Sequence, residues 1–182
     1  MKTIFVKDLM VPLKGYATVH QEATLREAVL ALEKAQMALD PAQYKHRAIL
    51  VLDERGKVVS KITMKNILIA IEPNYGHVEG IEVLERSGYS PDLIKSMFKD
   101  SSLWTVPLQF IRERAKQLKV NEFIQAPAEG EYIDKNAALG EAIRQLVLYP
   151  YHSLLVTSND EVVGILRLSD VFAKICDEIK IG

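Results

Sequence analysis

A chain of 182 residues with 48% hydrophobic and 26% charged residues has enough apolar material for one compact domain or two small halves. Its formal net charge of −1 argues against a general nucleic-acid or membrane-surface binder, and its one cysteine, Cys176, excludes a disulfide framework or a thiolate metal cluster. No signal-peptide apolar core follows Met1, and runs such as Ile67–Ile71 fall far short of the ~20 apolar residues that span a bilayer, so the expectation is a soluble cytoplasmic protein without membrane contact.

In chain order, Val6–Met10 reads as a short helical turn stopped by Val11-Pro12, and Tyr16–Val19 as a short strand. Ala23–Leu39 carries apolar residues at 25, 28, 29, 32, 35 and 39, a helical stripe closed by Asp40-Pro41, with Thr24 or Gln21 serving its start. Arg47–Leu52 and Lys57–Ile62 are apolar strands joined by a turn containing Gly56, hence a hairpin. Thr63–Ile71 then reads as helix, with Thr63 at the N-cap position and Asn66 three residues on.

Pro73-Asn74-Tyr75-Gly76 ends this unit. Val78–Arg86 is weakly helical, Ser90-Pro91-Asp92 marks a helix start, and Pro107–Val120 reads as another helix with Arg112, Arg114, Lys116 and Lys119 on one side, a solvent-facing stripe or a face for an acidic partner. Leu93, Ile94, Met97, Phe98, Leu103, Trp104, Leu108 and Ile111 are too many apolar residues for a loose linker. Residues 73–119 are therefore a structured helical insert that covers a ligand, binds a partner or builds an oligomer. Beyond it come strand Glu131–Ile133, helix Ala138–Leu148, a break at Pro150, strands Ser153–Thr157 and Val162–Arg167, and helix Ser169–Ile179.

The two flanking regions repeat one pattern. Val6-Lys7-Asp8-Leu9-Met10 matches Val120-Asn121-Glu122-Phe123-Ile124, and Leu-x-Glu-Ala recurs as Leu25, Glu27, Ala28 and Leu139, Glu141, Ala142, an offset of 114 positions. The offset drops to 105 at the hairpin's first strand, because copy one has nine extra residues around Ala38–Gln43, and to 104 at the closing helix. Insertions confined to loops mean two similar β-α-β-β-α halves, residues 1–72 and 120–182. Each half has a sheet with helices on one face only, so packing sheet to sheet covers the other.

Val-Lys-Asp-Leu-Met-x-Pro (Val6–Pro12), Thr-Leu-Arg-Glu-Ala (Thr24–Ala28), the hairpin Ile49–Asp53 to Gly56–Val59, and Gly164–Asp170 entering the last helix together resemble the CBS-domain pair, or Bateman module. The resemblance covers about two thirds of the chain. It implies an α/β (α+β) disc of two repeats, often dimerised, that binds AMP, ADP, ATP or S-adenosylmethionine between the copies as a regulatory ligand. It also implies no catalysis and no required cofactor. Because the chain carries no second domain, the regulated protein is expected to be an unknown partner in trans, beside a homodimeric partner.

The resemblance carries specific positions. Asp170, in the first turn of a helix directly after a strand, matches the family aspartate; its carboxylate accepts from both ribose hydroxyls, while free N–H groups of the helix start hold a phosphate. The alternative is that Asp170 complements the helix dipole. The family threonine three residues earlier is replaced by Arg167, either a phosphate grip or an exposed strand-end charge. Copy one has the converse departure, Thr63 with Asn66, which pairs with a ribose hydroxyl without charge assistance or is a helix cap alone. Ser60 and Lys61 also depart there from the usual glycine and apolar residue. Thr18–Val19, Tyr132–Ile133, His46–Arg47 and His152–Ser153 match the family's adenine-contacting stretches, with Tyr132 able to stack on a purine or to pack internally, and with Arg47 and His152 sharing a register at the entrance of the second strand, where they are expected to face the cleft.

His20, His46, His77 and His152 lack metal-ligand spacing, and neither a phosphate loop nor a nucleophile elbow is present, so an enzyme is disfavoured. Two functions remain: an adenine-nucleotide sensor built around Asp170, or a ligand-free dimerisation scaffold whose insert recruits a partner.

Overall fold

In the computed structural model of the protein, residues 3–39, 44–71, 90 and 108–181 are described. The helices read over Val78–Arg86 and from Pro91 lie outside the described residues. The elements are β1 (Val11–Pro12), β2 (Thr18–His20), α1 (Leu25–Met37), β3 (Ala48–Leu52), β4 (Val58–Thr63), α2 (Met64–Ile71), α3 (Leu108–Gln117), β5 (Tyr132–Asp134), α4 (Leu139–Leu148), β6 (Ser153–Ser158), β7 (Glu161–Arg167) and α5 (Leu168–Ile181). Each copy has the expected β-α-β-β-α order, giving a mixed α+β fold with two sheets.

Local chemistry accounts for the element ends. Thr24 begins α1 through a reciprocal box: its hydroxyl accepts from the Glu27 N–H at 3.2 Å, and the Glu27 carboxylate accepts from the Thr24 N–H at 2.7 Å. Thr24 rather than Gln21 is therefore the cap. The first hairpin turns on Asp53, whose carboxylate accepts from the N–H groups of Arg55 and Lys57, with Gly56 at φ 75°. The second turns on Asn159 and Asp160, both left-handed at φ 51° and 61°, the signature of a two-residue type I′ turn. That change of turn is the one-residue slip between the copies.

In copy one, β2 pairs parallel with β3, which pairs antiparallel with β4; in copy two β5, β6 and β7 do the same. Ala48–Val51 and Ser153–Val156 are buried throughout, as strands covered on both faces must be. Leu155 and Ile165 of copy two join the core of copy one, beside Ile49, Leu50 and Val51, so the sheets share one interior.

The opening turns exchange partners. Val6 is fully buried in the copy-two core and Val120 in the copy-one core. The Val6 N–H donates to Ala137 O at 3.0 Å, Lys7 N–H to Lys135 O at 2.9 Å, and Leu139 N–H to Ile4 O at 2.9 Å. Shifted by 114 positions, the same three bonds recur as Val120 to Ala23 at 2.8 Å, Asn121 to Gln21 at 2.9 Å, and Leu25 to Leu118 at 2.8 Å. Helix α3, from the insert, packs on α1 and α2, and Arg114 Nε donates to Ala70 O at 2.7 Å at the α2 terminus. Of the four basic residues, Arg112, Lys116 and Lys119 face solvent, Lys116 paired with Glu113 and Lys119 with Glu22, while Arg114 turns inward; α3 ends at Gln117, short of the expected Val120, so Lys119 lies beyond it.

Val11-Pro12 corrects one expectation, since it does more than stop a turn. As β1 it joins the edge of the copy-two sheet, pairing antiparallel with β7 at Val11–Ile165 and Pro12–Gly164. Gly164 makes this possible, because a Cβ there would lie 2.5 Å from Val11 O and 3.3 Å from Pro12 Cα. The equivalent position in copy one is Ser60, whose hydroxyl donates to Gln125 O at 2.6 Å, and that sheet has only three described strands. A hydroxymethyl group holds the incoming chain off; a hydrogen admits it. Gly164→Ala is expected to lower stability by about 1–3 kcal/mol and to speed amide exchange of β7, whereas Ser60→Ala leaves β7 exchange unchanged; thermal denaturation and hydrogen exchange check both.

Candidate functional site

At the end of each hairpin a strand–helix junction meets the other copy, giving two pseudo-equivalent sites where the resemblance expects the clefts. In the first, β7 delivers Arg167 and the first turn of α5 delivers Asp170, both facing copy one. Arg167 Nε donates to Asp170 Oδ2 at 2.5 Å and Nη2 donates to Oδ1 at 2.7 Å, a bidentate pair three residues apart. Nη1 reaches across to Tyr44 O at 2.6 Å and to His46 Nδ1 at 3.3 Å. Arg167 is only 8% exposed, so it is not a surface strand-end charge.

His46 is 2% exposed, and its ring lies 4.1 Å from that of Tyr16, tilted by 56°. A guanidinium only donates, so Nδ1 accepts from Arg167 and the proton of the neutral ring sits on Nε2, which is drawn to the Gly15 backbone without a well-formed hydrogen bond. Burial, then the Arg167 charge, holds His46 below the usual histidine range, against the smaller opposing pulls of the Gly15 backbone and Asp170. Burial pushes Tyr16 up to about 12, opposed by Arg167 and by the backbone at Ala48 and Arg47.

The second cleft is built from β4 and copy two. Thr63 and Asn66 face each other: Asn66 Oδ1 accepts from the Thr63 N–H at 2.8 Å and hydroxyl at 2.6 Å, and the Thr63 hydroxyl accepts from the Asn66 N–H at 3.2 Å. This is a closed helix-start box. Lys61 extends into copy two, where Nζ pairs with Glu131 Oε2 at 2.7 Å, donates to Ser153 O at 2.6 Å and lies 5.6 Å from the Tyr151 ring centroid. Its burial lowers the Lys61 pKa, and the Glu131 carboxylate opposes that shift.

With these clefts in view, the comparisons with known proteins are consistent. A family model of the CBS domain matches residues 6–73 and 127–177, well over half of the chain. The chain belongs to the CBS domain family. No curated protein sequence matches it. Among solved structures, a CBS domain-containing protein of unknown function from Bacillus anthracis is 19% identical with TM-score 0.62, covering 96% of this chain and 94% of that one. The CBS-pair protein CBSX2 from Arabidopsis thaliana is 16% identical with TM-score 0.62, covering 100% and 99%. CBSX2 in complex with AMP is 17% identical with TM-score 0.60, covering 95% and 97%. At these identities the likeness establishes the fold, that of a CBS pair.

Within this CBS pair, the expected site residues fall into distinct places. Arg167 and Asp170 meet in one cleft; Thr63, Asn66 and Ser153 line the other, with Ser153 contributing its carbonyl to Lys61. Thr18 and Val19 form β2, and Tyr132 and Ile133 form β5, where Ile133 is buried in the copy-two core and Tyr132 is half-buried against the copy-one core. Arg47 and His152 are exposed; the inward residues are their predecessors, His46 and Tyr151. One position along an extended chain reverses the facing side, and without the neighbouring strand the register had no anchor. Sequence patterning does not single out Tyr44 and Glu131, which act across the boundary between copies by carbonyl and carboxylate, or Tyr16, whose ring meets His46 within copy one; Lys61, a charge at a normally apolar strand position, is the one legible signal. No described helix is long and apolar enough to cross a membrane.

The lowered His46 pKa means the folded state binds fewer protons than the unfolded state just below the ordinary histidine value, near ~6.5. Its contribution is present above that value and is lost as pH falls toward the depressed folded value. Denaturation between pH 7 and pH 5 is expected to show a steeper loss of stability for the native chain than for His46→Gln, which keeps an acceptor for Arg167 but does not titrate.

Proposed function

We propose that this CBS pair is a regulatory sensor that binds an adenine nucleotide in the Arg167–Asp170 cleft and modulates a protein partner in trans. The observation that carries the reading is Asp170, a carboxylate held in the first turn of α5 at the mouth of a cleft between the copies, in a fold that the AMP complex of CBSX2 shares. Asp170 is the ribose acceptor, and Arg167 is its gate. Both carboxylate oxygens are committed to the guanidinium, so ligand entry exchanges Arg167 for ribose hydroxyls at Asp170 and releases Arg167 toward phosphate. That exchange favours AMP, ADP or ATP over the cationic S-adenosylmethionine. Because Arg167 also holds Tyr44 O of copy one, its movement changes the contact between halves, and binding then shifts a conformational equilibrium through unequal affinities for its two states. Thr18, Val19, Arg47, Tyr132, Ile133 and His152 remain candidates for the base-binding surroundings, whereas Ser153 holds Lys61 in the other cleft. Exposed Val147, Leu148, Phe172 and Ile179 on α4 and α5 support a homodimeric assembly; a cytoplasmic location is part of the proposal. No catalytic role is proposed.

A second reading, a ligand-free scaffold that recruits a partner through the insert, is favoured by one specific observation: the buried cations of both clefts are already paired within the chain.

Thermal denaturation with and without millimolar AMP, ADP, ATP and S-adenosylmethionine separates the two. A ligand at 100 times its Kd adds ~2.7 kcal/mol, roughly 5–10 °C for a chain of this length. The sensor reading expects that rise with a phosphorylated adenine compound, its loss in Asp170→Ala, and in Arg167→Thr a smaller advantage of AMP over adenosine. A flat response to all four compounds supports the scaffold.

A further inference from the structure

The two clefts are built from equivalent positions, yet one of them contains an ion pair that the other has no residues to form. Lys61 stands in β4 where copy two has Ile165, and Glu131 stands before β5 where copy one has Ala17. Ile165 and Ala17 are buried in the shared apolar core. Their counterparts instead meet across the halves at 2.7 Å, with side chains only 6% and 16% exposed. The ammonium also takes Ser153 O at 2.6 Å, approaches Ser153 Oγ at 3.4 Å and faces the Tyr151 ring, so its three donor protons have a carboxylate, a carbonyl and a hydroxyl within reach. Beside it, Thr63 and Asn66 spend their polar atoms on each other. The Arg167–Asp170 pair is also satisfied from within the chain, but there ribose hydroxyls can replace the guanidinium at Asp170 and a phosphate can replace the carboxylate at Arg167; here Asn66 offers ribose no carboxylate, and displacing Lys61 leaves the largely buried Glu131 uncompensated.

The geometry points to Lys61 and Glu131 as a built-in plug that closes the copy-one cleft, so that each chain takes one adenine nucleotide, in the Arg167–Asp170 cleft, and not two. The inference rests on the sensor reading above and adds which residues set the number of ligands. The plug also ties the halves together where Arg167, the gate of the open cleft, ties them at the other side. Removing both partners costs little when each is replaced by the residue copy two or copy one already uses there, since apolar replacements of a buried ion pair are commonly neutral.

Calorimetric titration of AMP into the full chain tests this with four proteins. The native chain is expected to bind one AMP, Asp170→Ala none, Asn66→Ala one, and the triple variant Lys61→Ile, Glu131→Ala, Asn66→Asp two. Two AMP per native chain, or loss of binding in Asn66→Ala, overturns the plug. So does a triple variant, folded by circular dichroism, that gains no site; Lys61→Met with Glu131→Gln and Asn66→Asp, closer in shape to the native residues, serves if the first does not fold. Absence of AMP binding to the native chain defeats the sensor reading instead, and the triple variant still judges the plug by whether binding appears.

Discussion

The exchange of the two opening turns is the constraint on which the rest of this molecule depends. Three backbone hydrogen bonds tie residues 4–7 to residues 135–139, and their equivalents tie residues 118–121 to residues 21–25. Buried backbone donors need partners, and each copy meets that need with the other copy's chain. Val6 and Val120, both without solvent exposure, each complete the core of the other copy. Neither half closes its own core, so the clefts between them are held in place by the same contacts that make the fold.

On that near-symmetric frame, a few substitutions decide the chemistry. Gly164 against Ser60 admits β1 to one sheet and keeps the corresponding chain off the other. Arg167 and Asp170 against Thr63 and Asn66 turn one strand–helix junction into a charged bidentate pair and the other into a neutral box. Lys61 and Glu131 against Ile165 and Ala17 put an ion pair where the twin has packing. Duplication makes two sites available, and unequal substitution gives them different work.

Electrostatics explains why these differences are stable. A buried guanidinium is tolerated only with its donors occupied, and Arg167 places them on Asp170, Tyr44 O and His46 Nδ1. The neutral tautomer of His46 follows from that arrangement, as does the depression of its pKa by burial and by the adjacent charge. Lys61 meets the same requirement with Glu131 and Ser153. Each cation therefore joins the halves as well as filling its cleft, and anything that displaces it changes both.

By itself, the sequence determined the duplication, the β-α-β-β-α order, the loop-confined insertions and the positions of Arg167, Asp170, Thr63 and Asn66, because periodicity, turn residues and cap residues act within a few positions of one another. It also showed that Ser60 and Lys61 break the expected pattern. Only the tertiary structure decided that the opening turns cross over, that Val11-Pro12 is a strand, that His46 rather than Arg47 faces inward, and that Lys61 finds Glu131 seventy positions away. Those outcomes depend on strand register and on contacts between copies. A charge at an apolar position announces that a partner is needed, but the partner's identity is set by which chain the fold lays across it.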